Sequence, residues 1–530
     1  MTLFPVFTYH GRSIFMNKRI IAALLSGIML ITGITACSGS PATDSSSGTA
    51  DSTTSVSESV PETEATTTDA PQTAAATTTT AETTTAQTTA ATTEAATPAP
   101  ETTKAPETAA PETTKAPEAT KAPETTKAVT TTKAPETTKA VTTTKAATTT
   151  KAPAETPSSS DTYKIPSTDA MNFASKLMPG WNLGNQLEAV SGSTPSETAW
   201  GNPVITEKLI KAVKAAGFKS IRIPVSYLSK IGSAPNYTID SAWLDRVQEV
   251  VDMCVDNGLY AIINVHGDGY YSISGGWLLC AESDQKTIKA KYEKVWTQIA
   301  ARFKNYDEHL IFESMNEVFD GNYNGPTAEY YANINAYNQI FVDTVRKSGG
   351  KNANRYLLVP GWNTDINSTV EGTDFKLPTD SKNRIIVSVH YYDPYEFCLK
   401  ESAKGIFRWG NAVTTQAPGW GKEDYLDGQF DKLYDSFISK GVPVIIGEYG
   451  AIDKSYNDER STTYRAYFYE YLNYAAVKRG IVTVLWDNGY NGKNGFGVFD
   501  RSGATQTQPE LIKAIMKGVK ANYTITAPTV

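Results

Sequence analysis

Cysteine is scarce in this chain, with four residues in 530. No Cys-x-x-Cys spacing occurs, so neither a disulfide scaffold nor a structural zinc site is expected. Basic charge is not in excess. Lys and Arg number 49 against 56 Asp and Glu, a formal net charge of −7. That balance excludes a broad basic surface for nucleic acid. No Gly-x-Gly-x-x-Gly follows a candidate strand, and there is no Walker-type Gly-Lys-Ser/Thr, which weakens nucleotide readings. Aromatic residues are missing from 41–160, a stretch built almost only from Thr, Ala, Ser, Pro, Glu and Lys. Such a stretch cannot bury a core. Residues 161–530 hold nearly all the Trp, Tyr and Phe and suit one large domain.

What is present at the N-terminus reads as an address. Met16-Asn-Lys-Arg is a short basic region, and an apolar run follows from Ile20 to Ile34. The run is shorter than the ~20 residues that a spanning helix needs, and its layout is that of an export signal. Met16 is an alternative start. Ile34-Thr35-Ala36-Cys37 resembles a lipoprotein box, in which Cys37 is acylated and becomes the first mature residue. The alternative is ordinary cleavage near Ala36 with Cys37 incidental. Cys254, Cys280 and Cys398 then remain, and three thiols cannot all pair within one chain.

Residues 38–160 read as a disordered linker. From Lys115 to Lys151 a Lys recurs every six residues, in a unit close to Lys-Ala-Pro-Glu-Thr-Thr. A parallel β-helix can have such a period. It would need an aliphatic side chain in every rung, and only Val129 and Val141 are available. Regular Pro and Thr favour an extended, semi-rigid spacer. Its expected role is reach, holding the folded domain away from a membrane or wall.

From 161 onwards eight short apolar runs recur: Gly180–Leu183, Ser220–Val225, Leu259–Val265, Leu310–Met315, Tyr356–Pro360, Ile385–Val389, Val442–Ile446 and Ile481–Trp486. Strands buried on both faces look like this. Amphipathic stretches lie between them. Leu209, Ile210, Val213 and Ala216 share a face and end at Gly217. Leu244, Val247, Val251, Cys254 and Val255 do the same before Gly258, and Ile288, Tyr292, Val295, Ile299 and Phe303 make a third. Eight strand–helix units predict an α/β chain folded as a (β/α)8 TIM barrel.

Such a barrel carries its chemistry at the C-terminal ends of its strands. Reading those ends in order gives Asn185, Arg222, His266, Asn316-Glu317, Trp362, His390 with Tyr392, Glu448 and Trp486. Any one of these could be structural. The whole chain has four His, however, and two of them fall at strand ends. Glu317 ends the fourth strand and Glu448 the seventh, so they should face each other across the mouth. Two opposed carboxylates are what glycoside hydrolysis requires. A divalent metal site would want more carboxylates or a His-x-His pair there. No metal and no cofactor is expected.

These residues also carry a family likeness. Trp181-Asn-Leu-Gly-Asn185, Arg222-Ile-Pro224, Asn264-Val-His266, Asn316-Glu317, His390-Tyr-Tyr392, Gly447-Glu-Tyr-Gly450 and Trp486-Asp-Asn-Gly489 stand in the order seen in glycoside hydrolase family 5. The chain resembles the bacterial endo-β-1,4-glucanases of that family over about 161–520. The resemblance implies that Glu317 is the general acid/base and Glu448 the nucleophile of a retaining mechanism. It implies that Asn316 binds the sugar 2-hydroxyl, that Arg222 and Tyr392 hold Glu448 ionised, and that His390 lies near Glu317. His266 would contact a hydroxyl of the sugar being cleaved, Trp486 would form its stacking floor, and Asn185 would support the cleft. Burial near Trp and Tyr would raise the pKa of Glu317. The related enzymes often have a second His after the one matching His266; here Gly267 follows, then Asp268. Gln186-Leu-Glu188 is also a variant stretch.

The expected substrate is cellulose or a related β-glucan, taken by a monomer that binds no nucleic acid and meets a membrane only through Cys37. The expected location is the cell surface or the medium. Mannanase, xyloglucanase and mixed-linkage glucanase remain alternatives, because one barrel serves many glycans through its loops. A non-catalytic glycan-binding protein would have lost a carboxylate. A structural surface protein would not keep the whole strand-end set.

Overall fold

The computed structural model describes residues 163–401 and 405–528. The signal segment, Cys37 and the linker lie outside the described residues. Eight parallel strands close into a barrel, each bonded to its neighbours in chain order and the last to the first. They are β1 (Gly180–Asn182), β2 (Ser220–Ile223), β3 (Tyr260–Ile263), β4 (Leu310–Glu313), β5 (Leu357–Pro360), β6 (Ile385–Tyr391), β7 (Val444–Tyr449) and β8 (Val482–Leu485).

The two-residue alternation of strands sorts the barrel interior into layers. Ile262, Ile311, Leu358, Ile386, Ile445, Val482 and Val484 form the lower layer. A short helix, α1 (Asp169–Ala174), closes this end, with Phe173 and Leu177 packed on those side chains. Phe173 stacks on Tyr356 at 3.6 Å between ring centroids. Two residues further along the same strands the layer turns polar. Ser220 gives way to Arg222, Ile262 to Asn264, Ile311 to Glu313 and Ile386 to Ser388, all of them buried. The apolar end holds the barrel together, and the polar end builds the site.

Helices cover the outside: α2 (Glu207–Ala215), α3 (Ser241–Asp256), α4 (Gln285–Arg302), α5 (Ala328–Lys347), α6 (Glu423–Ser436), α7 (Ser461–Lys478) and α8 (Pro509–Gly518). The side chains of Thr206, Asp240, Asp284 and Thr327 cap the first four of these, which satisfies backbone N–H groups that the helix leaves unpaired. The expected faces are buried, including Leu209, Ile210 and Val213 on α2 and Ile288, Tyr292, Val295 and Ile299 on α4. Gly217 stops α2 at φ +108° and Gly258 stops α3 at φ +67°, a region that favours glycine.

One unit departs from the eightfold expectation. Between β5 and β6 there is no α-helix, only the 3₁₀ turns Trp362–Thr364 and Ile366–Ser368. Asn, Thr, Asp and Ser crowd this stretch and bind their own backbone instead of extending a helix. The Asp365 carboxylate, for instance, accepts from the Ser368 N–H and hydroxyl.

Candidate active site

Arg222 lies at the centre of the polar layer, fully buried. Its Nε donates to Glu313 Oε2 at 2.7 Å, and its Nη1 donates to Asn182 Oδ1 at 3.0 Å and Glu448 Oε1 at 2.7 Å. Its Nη2 donates to Asn316 Oδ1 at 2.7 Å. Burial disfavours this charge, but Glu313 and Glu448 more than offset it and hold the guanidinium above its ordinary pKa range. Glu313 also accepts from Asn264 Nδ2 at 3.0 Å and from the Ser388 hydroxyl at 2.7 Å. The buried ion is thus matched on every face, the condition under which burying charge is tolerated.

Glu448 is the penultimate residue of β7, with Arg222 on Oε1 and the Tyr392 hydroxyl donating to Oε2 at 3.1 Å. Glu317, just beyond β4, receives His390 Nδ1 on Oε1 at 2.7 Å and the Tyr270 hydroxyl on Oε2 at 2.8 Å. His390 also comes within 3.6 Å of Glu448. One ligand-type atom from each of Glu317, His390 and Glu448 lies within 4.8 Å of the other two. One oxygen of Glu317 thus lies within 4.8 Å of one oxygen of Glu448, a close approach compared with the ~6.5–9.5 Å between the carboxyl groups of inverting enzymes. The pairing of β6 with β7 slips between Val389 and His390, which sets His390 opposite Glu448. A Cβ on Gly447 would come within 3.2 Å of His390 Nε2, so glycine gives that ring its room.

Protonation follows from these contacts. Burial raises the Glu448 carboxyl, and although His390 and Arg222 pull it down, the Glu317 charge adds to burial and leaves it above its ordinary value. Burial acts on Glu317 too, but His390, then Tyr270 and Arg222, leave it below its ordinary value. This corrects the expectation that burial would raise Glu317: two donors on its oxygens outweigh the loss of water. Burial, with Arg222 and His390, pushes His266 well below its ordinary value and makes it neutral. Asn264 Oδ1 accepts from the Val225 N–H at 3.1 Å, so its Nδ2 faces His266 Nδ1 at 3.2 Å. His266 Nδ1 is then the acceptor, and the ring proton is on Nε2, ready to donate.

Trp486 is half-buried, and its plane lies 13° from that of His266 with centroids 6.3 Å apart. It lies over Gly184, where a Cβ would come within 2.7 Å of the indole. Trp362 is buried edge-on to Phe319. Asn185 stands apart from the carboxylate pair. Its backbone N–H is held by Glu188 Oε1, and its carbonyl accepts from Asn202 Nδ2 at 2.8 Å. The first-strand asparagine that joins the site is Asn182, which also donates to the Gly447 carbonyl at 2.8 Å.

Asn182, Asn264, Glu313 and Ser388 went unread from sequence as site residues, as did Tyr270. For Glu313 a signal existed. Arg222 and Glu313 are the lone charges in two apolar runs, and charges in strands buried on both faces must find partners.

A family profile described as cellulase (glycosyl hydrolase family 5) matches residues 183–492. Endoglucanase A of Paenibacillus barcinonensis is 54% identical over 365 residues, covering 67% of this chain and 91% of its own. A solved family 5 xyloglucanase from Paenibacillus pabuli is 56% identical with a TM-score of 0.64, covering 65% of this chain and 99% of its own. A xyloglucan-specific endo-β-1,4-glucanase of Bacteroides ovatus is 38% identical over 365 residues, covering 66% of this chain and 70% of its own. The chain belongs to glycosyl hydrolase family 5. It is a glycoside hydrolase of the cellulase type.

Proposed function

We propose that this barrel is a retaining endo-β-1,4-glucanase in which Glu448 is the nucleophile and Glu317 the general acid/base. Activity on β-glucans accords with the family and with relatives named as endoglucanases and xyloglucanases. The observation that carries the retaining reading is the approach of the two carboxylates, with one oxygen of each within 4.8 Å of the other.

In the first step Glu448 attacks the anomeric carbon while Glu317 gives its proton to the departing glycosidic oxygen. A covalent glycosyl-enzyme forms on Glu448. Glu317, now ionised, takes a proton from water, which attacks the same carbon and releases Glu448. Arg222 and Tyr392 suit Glu448 as nucleophile, since both donate to its ionised form. In the open cleft the proton order is the reverse of what this step needs. The Glu317 side chain is 21% exposed against 7% for Glu448. A seated glucan strips water from Glu317 more than from Glu448, so it raises Glu317 more and moves the proton there.

His266 Nε2–H would bind a hydroxyl of the sugar, and the unspent Asn316 amide hydrogen its 2-hydroxyl. The half-buried face of Trp486 would carry the apolar C–H side of the ring. The xyloglucanase identity of 56% favours a branched glucan as a second reading. The chain acts as an exported monomer, held at the surface by an acyl group on Cys37 through the 38–160 spacer. To test the function, the purified protein is incubated with cellulose, xyloglucan, mixed-linkage glucan and mannan, and the first-formed anomer is read by NMR. β-Linked oligosaccharides released as the β anomer are expected. A first-formed α anomer refutes retention, and action on mannan alone refutes the glucanase reading.

A further inference from the structure

We propose that the Tyr270 hydroxyl is a positioning group for the general acid/base, steadying the Glu317 carboxylate as it gives up its proton and tying it to the ion that holds the nucleophile. The inference rests on the role given to Glu317 above.

The geometry leaves the phenol one arrangement. Arg222 Nη2 donates to Asn316 Oδ1 at 2.7 Å, so Asn316 must present its Nδ2 on the other side. That Nδ2 donates to Tyr270 Oη at 2.8 Å. An amide N–H₂ can only donate, so the phenol oxygen is the acceptor there. Its single proton is left for Glu317 Oε2, 2.8 Å away. A continuous path runs from Arg222 through Asn316 and Tyr270 to Glu317. The same guanidinium reaches Glu448 directly. Both carboxylates are therefore referred to one buried cation.

The loop carrying Tyr270 is built for this placement. It leaves β3 through His266 and the 3₁₀ turn Gly267–Gly269. The buried Asp268 carboxylate anchors the turn by accepting from the N–H groups of Tyr227 and Leu228, both at 2.8 Å, and from Trp277 Nε1 at 2.6 Å. A Cβ on Gly269 would come within 2.9 Å of Val318 Cγ2. Glycine thus lets the turn lie against the residue next to Glu317. The Tyr270 ring rests near Phe319, 6.4 Å between centroids, and near His266, 6.2 Å.

The charged and titratable groups around this pair are Arg222 from β2, His266 and Tyr270 itself after β3, Glu317 and Tyr323 after β4, His390 from β6, Tyr392 just after it and Glu448 from β7. Burial and the charges of Glu317 and Glu448 keep the phenol protonated far above its ordinary range. It is thus a donor at every working pH. As Glu317 passes its proton to the leaving oxygen, its carboxylate gains charge and the bond from Tyr270 strengthens. Losing that donor disfavours the ionised form and raises the Glu317 pKa.

The test is Tyr270→Phe, which keeps the ring and removes only the hydroxyl. The basic limb of kcat against pH, which reports loss of the acid's proton in the substrate complex, should move up by on the order of one pH unit. Turnover of a glucan with a poor leaving group should fall about tenfold or more. Glycosyl-enzyme formation from an activated aryl glycoside should change little, because that leaving group needs no proton. Placing 3-fluorotyrosine at 270 makes the phenol a stronger donor and should move the same limb down. That chain decides the matter alone if the Phe variant melts early. Equal losses on both substrates with both limbs fixed would overturn the proposal in favour of packing. Movement of the acidic limb instead would show that Glu317 is the nucleophile and would overturn the role assignment itself.

Discussion

Replacing Glu317 with Ala should open an anion-sized gap lined by two donors. His390 Nδ1 and the Tyr270 hydroxyl, 2.7 and 2.8 Å from the Glu317 oxygens, lose their acceptor together. General acid–base catalysis contributes roughly 10²–10⁴-fold, about 3–5.5 kcal/mol of barrier. A natural glucan, which departs as a poor alkoxide, should lose activity by that factor. An activated aryl glycoside should still form its intermediate, which then accumulates on Glu448. Azide should enter the gap, accept from the two donors and attack without a general base, giving a β-glycosyl azide. Removing the Glu317 charge also removes one of the forces holding Glu448 up. The acidic limb of the profile should therefore move to lower pH. Product analysis by NMR with a pH series on the aryl substrate measures both effects. Glu448→Ala should be inactive in the same assay. If azide rescues Glu448→Ala to the α-azide and leaves Glu317→Ala silent, the two roles are exchanged.

Other consequences can be checked separately. Glu313→Ala leaves part of the Arg222 charge unmatched and should cost ~3–5 kcal/mol of stability in denaturant unfolding, whereas Glu313→Gln should lose less, because an amide can keep contacts to Arg222 and Ser388. Gly184→Ala places a Cβ 2.7 Å from the Trp486 indole, so KM for glucan should rise at a folding cost of ~1–3 kcal/mol; an unchanged KM would remove Trp486 from the sugar floor. Glu188 is pushed by burial from 4.5 to about 7. A carboxyl raised on folding gives stability that is present below its unfolded value and is lost as pH rises through the folded one. Stability should thus fall between about pH 4.5 and 7, and Glu188→Gln should flatten that slope; parallel slopes would refute the shift. Cys37→Ala should release the protein from membranes into the medium, and a wild-type chain already free and unacylated would end the anchor reading.

The strands were legible because burial on both faces demands apolar residues on both sides, and that demand survives in the sequence without any knowledge of pairing. Glu317, Glu448 and His390 were legible for a related reason, as polar residues ending apolar runs. Glu313 was not, because a single carboxylate inside Leu310–Met315 was read with its apolar neighbours. Only the alternation that turns Ile311 and Glu313 inward, opposite Arg222, shows what it does. Tyr270 lies on a loop whose course depends on Asp268 and Gly269, and no periodic pattern announces such a course. The missing helix after β5 has the same origin, since local side-chain-to-backbone bonds prevailed over the eightfold repeat.

The division of the barrel interior explains why the chemistry can stay fixed while the substrate varies. The lower layer of Ile, Leu and Val gives Arg222 a dry floor, so its charge acts with little screening on whatever reaches it. Glu313, Glu448 and Asn316 all reach it from strands or strand ends. The buried ion thereby places Glu448 directly and Asn316 beside Glu317, whose own carboxylate is held by His390 and Tyr270. The loop that carries Tyr270 shares in setting the separation of the carboxylates. Gly267 and the Gln186-Leu-Glu188 stretch lie on the surrounding loops. On the proposed function, changes there would alter which glucan fits against His266 and Trp486. They would leave the Arg222 contacts, and with them the place of Glu448, where the barrel puts them.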